Sequence, residues 1–137
     1  MKPQWVIAAL AAALWLAPAS PGRAQDEVLN VDSWTLMRLY DQNELAAKRQ
    51  YEGRRVRLTM QPLSVSADKD GRPYVYLISY SSRISRPRPA AAYFEKTRRD
   101  DLLKVIENLV NEKPVTVVCT VRGLELFAVA LDGCSLD

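Results

Sequence analysis

The chain has 137 residues, 19 Lys and Arg against 16 Asp and Glu, two Cys and no His. The lack of histidine excludes a Ser-His-Asp triad, a His-ligated zinc and a His general base, and two cysteines alone make a poor metal site. None of the five glycines builds a phosphate loop or a dinucleotide fingerprint, so no catalytic residue, cofactor or metal is expected and the chain reads as a non-enzyme.

At the N-terminus Lys2 precedes an apolar run from Trp5 to Ala17, too short to span a bilayer as a helix, and Pro18, Pro21 and Gly22 follow. Residues 1–24 are expected to be a secretory signal peptide, with small residues Gly22 and Ala24 placing cleavage after Ala24. No cysteine lies near that site, so lipid attachment there is not expected. Cleavage removes Lys2 and Arg23, two of the 19 basic residues, and leaves 17 against all 16 acidic ones, a net charge of +1. The remaining 25–137 are expected to form one soluble domain, periplasmic or secreted, without membrane insertion. A global attraction to nucleic acid or anionic lipid is not available at that charge; only a local cluster would provide one.

Leu36, Leu39, Tyr40, Asn43, Ala46 and Ala47 recur at intervals of three and four, which predicts one amphipathic helix over 32–50. Asp32 or Ser33 suits its N-cap and Lys48 and Arg49 its C-terminal dipole. Asn43 falls on the apolar stripe, where it is expected to bond a neighbouring backbone group and fix how the helix docks.

The stretch from Gly53 to Leu77 organises the rest. Val56, Leu58 and Met60 alternate with Arg55, Arg57 and Thr59, the period of a strand with one buried face. Pro62 predicts a bend, so this long strand is suited to take part in both halves of a barrel. Asp68, Asp70 and Gly71 predict a hairpin turn at 67–73. The distal Glu of a calcium loop is missing. In the next strand Val75 and Leu77 are expected inward and Tyr74, Tyr76 and Tyr80 outward.

Residues 81–92 read as a basic loop bearing Arg83, Arg86 and Arg88, broken by Pro87 and Pro89. A short third strand at Tyr93–Phe94 follows. A capping box from Thr97 to Asp100 then opens a helix that faces the core through Leu102, Leu103, Ile106, Leu109 and Val110. Asn111 to Pro114 ends it. The β-branched run VTVVCTV is the fourth strand, Arg122 to Glu125 the turn, and FAVALDGCSL the last strand, with Phe127, Val129 and Leu131 on one face. The predicted fold is mainly β with two helices: a five-stranded OB-fold barrel of order β-β-β-α-β-β after an N-terminal helix.

Tyr40, Asn43, Glu44, Ala47, Tyr51, Gly53 and Val56, continued by Pro73-Tyr74-Val75, Phe94, Val117, Cys119, Leu131 and Cys134, make the chain resemble the tRNA_anti-like family of bacterial OB-fold proteins. The resemblance covers nearly all of 25–137 and rests on core and turn positions. It departs in the long 81–92 loop and in Asn111-Glu112-Lys113-Pro114, where a Gly is usual before strand four. It implies an OB barrel and a binding module, and it names no ligand.

The expected ligand face comprises Arg55, Arg57, Tyr74, Tyr76 and Tyr80, with Arg83, Arg86 and Arg88 nearby, because OB ligands lie across strands two and three. The leading expectation is an exported module of the cell envelope that holds a protein segment or an envelope polymer. The alternative is a single-stranded nucleic-acid binder, favoured by tyrosines as stacking platforms beside arginines and disfavoured by export. Cys119 and Cys134 are expected to form a disulfide in an oxidising compartment. A hairpin centred on Gly123-Leu124 would set Cys119 opposite Ala128 or Val129, so the bridge requires the last strand to bulge at Gly133.

Overall fold

A computed structural model describes residues 27–79 and 88–137. The expected signal peptide and, from the ligand face, Tyr80, Arg83 and Arg86 lie outside these residues. The elements are β1 (Val28–Asn30), α1 (Ser33–Gln42), α2 (Glu44–Tyr51), β2 (Arg55–Ala67), β3 (Pro73–Ser79), β4 (Ala90–Phe94), α3 (Arg99–Val110), β5 (Val115–Glu125) and β6 (Ala128–Leu136).

β2 does the work of two strands. Its first half, Arg55 to Met60, pairs antiparallel with β5, and from Met60 onward it pairs antiparallel with β3, with a register shift between Pro62 and Ser64. The imino acid at Pro62 has no amide to offer a ladder, and the extra residue Leu63 turns the strand from one neighbour to the other. The sheet then runs β3, β4, β6, β5 and returns to β2, with β4 and β6 parallel, so the barrel closes on five strands. This is the OB order, with α3 between the third and fourth barrel strands. β1 lies parallel to β2 at Arg55–Arg57 as a sixth, short strand; three residues carry no period that a sequence reading detects.

The alternation seen in β2 fills the barrel. Val56, Leu58, Met60, Val75, Leu77, Phe94, Val117, Val121, Val129 and Leu131 are buried there, with Leu36, Met37 and Tyr40 of α1 and Val105 of α3 joined to the same core. The turn before β3 forms as expected. The Asp68 carboxylate accepts from the amides of Asp70 and Arg72 at 2.9 Å each, and Gly71 takes φ +75°.

Several sequence expectations are corrected. The helix expected over 32–50 is two helices, which raises the total among the described residues from two to three. Asn43 leaves helical geometry; its amide donates to Leu39 O at 2.8 Å, ending α1, while its Oδ1 accepts from the Ala46 amide at 3.0 Å, capping α2. Asn43 is therefore exposed at a junction and not on the buried stripe; it does bond backbone, as a cap. The third strand starts at Ala90, so the 81–92 loop is shorter than its composition suggested.

At α3 the N-cap is Arg98 with no side-chain cap, in place of the Thr97–Asp100 box. Only Val105 of α3 is fully buried, and Leu103, Ile106 and Val110 are exposed. Finally, the last hairpin turns at Leu126-Phe127, not at Arg122–Glu125, because Glu125 pairs with Ala128. Phe127 is consequently 82% exposed and belongs to no core face.

The displaced turn removes the geometric difficulty at the cysteines. With Glu125 opposite Ala128 the hairpin register sets Cys119 opposite Cys134; the register shifts at Arg122 and at Gly133-Cys134 cancel, and the two cysteines, at a Cα separation of 4.2 Å, form a disulfide within the core. Gly133 holds φ +57°, a conformation that costs a residue with a Cβ. The expected bulge is where the sequence placed it.

The bridge closes a loop of 15 residues, worth about 3 kcal/mol in the chain-entropy account. Cys119→Ala with Cys134→Ala is expected to lose that much in denaturant unfolding, and the wild-type chain is expected to show no reactive thiol in denaturant without reductant. A second expectation concerns Tyr40, whose hydroxyl is buried without a hydrogen-bond partner among the described residues. Burial first, then Glu52 and Glu44, push its pKa from 10.0 up to about 12. The stability tied to its neutral form is complete below pH 10 and is lost as pH rises toward 12. Tyr40→Phe is expected to keep Tm at neutral pH and to flatten its decline above pH 10.

Candidate functional site

Outward positions of β3 and β4 carry an aromatic row. Tyr74 pairs across the strands with Tyr93, and their rings lie 5.3 Å apart at 39°, while Tyr76 meets Tyr74 edge to face at 5.2 Å. All three are half-buried. Such pairs prefer tilted and edge-on packing because the ring faces are electron-rich. Burial raises the Tyr76 and Tyr93 hydroxyl pKa values; for Tyr93, Glu125 adds to the rise and Arg122 opposes it.

Two guanidiniums, from Arg72 at the β2–β3 turn and Arg122 on β5, lie over the Tyr93 ring, 5.3 and 5.2 Å from its centroid. Both converge on the Asp132 carboxylate of β6: Arg122 at 3.1 Å and Arg72 in direct contact. Arg122 also meets Glu125 at 3.2 Å, and Arg72 approaches Glu95 at 4.0 Å. Burial alone would raise the Asp132 pKa, but hydrogen bonds from Arg122 and the Gly133 amide outweigh it and hold the carboxyl below its ordinary value. Burial would lower Arg122, but its hydrogen bonds to Asp132 and Glu125 outweigh this and raise it. Beside this cluster, Glu52, Glu95, Thr120, Arg122, Asp132 and Gly133 line a cleft of about 440 Å³.

The expected face is thus partly assembled. Tyr74 and Tyr76 are together and outward, as alternation requires. Arg55 and Arg57 also point outward, but from the half of β2 that pairs with β5 and not the half that pairs with β3. Arg55 donates to Thr120 Oγ1 at 3.2 Å at the edge of the cleft. Arg57 is held by Asn30 at 2.7 Å and Asp137 at 2.9 Å, and Arg88 pairs with Asp41 of α1. Sequence reasoning missed Tyr93, Arg72, Arg122 and Asp132. Tyr93 beside a buried Phe94 carried the signal, since adjacent strand residues point to opposite faces. The arginines and Asp132 carried none, because their convergence depends on strands far apart in sequence.

No family model matches the chain, and no curated protein matches it. The barrel does match a solved structure. It is a Klebsiella pneumoniae protein described as a "putative nucleic acid-binding lipoprotein", aligned at TM-score 0.58 and 15% identity over 88% of this chain and 98% of that one. At that identity the likeness concerns the fold, and the fold it supports is the OB-like barrel.

Asp132 makes the cluster pH-sensitive in a stated direction. Its pKa is lowered from 3.8, so its contribution to stability is present above pH 3.8 and is lost as pH falls through the lower folded value. Asp132→Asn is expected to cost under about 1 kcal/mol at pH 7, as partly exposed ion pairs do. It should also reduce the fall in Tm on acidification below pH 4, measured by circular dichroism.

Proposed function

We propose that the chain is an exported, non-catalytic OB-fold module of the cell envelope that holds an envelope polymer or a protein segment across the outer face of β3 and β4. The observation that carries this reading is the row Tyr74, Tyr76 and Tyr93 with its arginines already balanced. Arg72 and Arg122 meet the three carboxylates Asp132, Glu95 and Glu125. A face of rings and compensated charges suits a ligand that stacks and accepts directed hydrogen bonds, and it offers a polyanion little net attraction. Export is supported by the Cys119–Cys134 bridge, by the apolar run near the N-terminus and by the lipoprotein description of the similar Klebsiella protein. Both cysteines of the sequence are in the bridge, so this reading has no lipidated cysteine. The non-catalytic part rests on the residue inventory, which lacks histidine. The resemblance to the tRNA_anti-like family belongs to the same proposal.

Single-stranded nucleic acid is the second reading, favoured by tyrosines as base-stacking platforms and by the words used for the Klebsiella protein. Titration with soluble envelope glycan fragments, envelope-derived peptides and a thymidine oligomer, at low and at physiological salt, separates the two. A glycan or peptide is expected to bind and to be released by Tyr74→Ala with Tyr76→Ala, without turnover. The oligomer is expected to bind weakly and to lose affinity steeply with salt, since the arginines are engaged. Tight oligomer binding at physiological salt that persists on further salt addition would reverse the order of the readings.

A further inference from the structure

α3 is apolar on two sides. Leu102, Val105 and Leu109 face the barrel, yet Leu103, Ile106 and Val110, at i, i+3 and i+7, form a second stripe that is 63%, 40% and 75% exposed. A helix that only covers a barrel is polar on its outer side. The stripe also has a neighbour. The bulge after Pro62 leaves Leu63 exposed beside the C-terminal end of α3, and Gln61, Pro62, Leu63, Leu109 and Glu112 line a cleft of about 450 Å³ there.

We infer that this surface pairs with a second copy of the chain, α3 against α3 in antiparallel fashion about a two-fold axis near Ile106. The pattern is self-complementary, as an isologous contact requires. With the axis between Ile106 and Glu107, Ile106 meets itself and Leu103 of one copy lies opposite Val110 of the other, next to the Leu63–Leu109 cleft. The flanking charges agree. Lys104 and Glu107 lie on the same side of the stripe, and at 1.5 Å rise per residue Lys104 of one copy falls about 3 Å along the axis from Glu107 of the other, within a lysine's reach. The two-fold makes that pair twice. A parallel two-fold would place the flank carrying Lys104 and Glu107 on opposite sides of the seam in the two copies and so make no such pair. One helix face with Leu63 is smaller than a standard interface, so the pair is weak and concentration-dependent.

Sedimentation over a concentration series tests this. A monomer–dimer equilibrium is expected, abolished by Leu103→Glu. Lys104→Glu and Glu107→Lys singly are expected to weaken it about fivefold to tenfold, since each turns two attractive contacts repulsive, and Lys104→Glu with Glu107→Lys together are expected to restore it. These side chains are exposed, so the variants fold, which far-ultraviolet circular dichroism checks. A chain that stays monomeric up to about 1 mM, the weak limit of specific association, overturns the inference. So does a dimer indifferent to Leu103→Glu, or one that the double charge reversal fails to restore.

Discussion

The barrel depends on a strand that changes partners. β2 spans Arg55–Ala67, and its two halves pair with β5 and β3 across a bend at Pro62-Leu63. A flat strand would leave each half with an unsatisfied edge; the bend turns both edges inward to existing neighbours, and closure removes the exposed ladder that open sheets must protect. Everything inside follows from keeping alternation on either side of the bend. Val56, Leu58 and Met60 enter the core before it, Val65 packs at its margin after it, and the residue that absorbs the change, Leu63, is left outside.

A similar device operates at the other end of the chain. β5 and β6 form the most extended hairpin, and two irregularities in its register decide what lies across from what. The one at Gly133-Cys134 cancels the one at Arg122 and so returns the two sulfurs to opposite positions. With it, a covalent tie joins consecutive strands inside the core, where it also neighbours Val56 through Cys119 and Phe94 through Cys134. A small domain has few kcal/mol in reserve, so a bridge placed on its last hairpin also secures β6, which is paired on both sides by β4 and β5.

On the outer face, electrostatic compensation distinguishes this barrel from a basic one. Arg72 and Arg122 lie over Tyr93 and share Asp132, Arg57 is held at Asn30 and Asp137, and Arg88 at Asp41. Arginines fixed in this way stiffen the surface between strands and present oriented donors, but their charge is already answered. Tyr93 is covered by those two guanidiniums, so among the described residues Tyr74 and Tyr76 are the rings of the row that no arginine covers.

The sequence by itself determined the order of the five barrel strands and several of their features: period-2 alternation, the Asp-Gly turn, the bend at Pro62, the outward tyrosines of β3 and the two cysteines as a pair. These rest on local physics, namely side-chain alternation, backbone freedom at Gly71 and Gly133, and the missing amide of a proline. Only the tertiary structure decided that Asn43 divides a helix, since capping and periodicity compete there and the packing of α1 and α2 settles which prevails. It likewise decided that the last hairpin turns at Leu126-Phe127, because the registers of β5 against β2 and of β6 against β4 outweigh the preference for glycine in a turn. The cluster of Arg72, Tyr93, Arg122 and Asp132 draws on four separate stretches of the chain. No local pattern encodes a meeting that exists only once the barrel has closed.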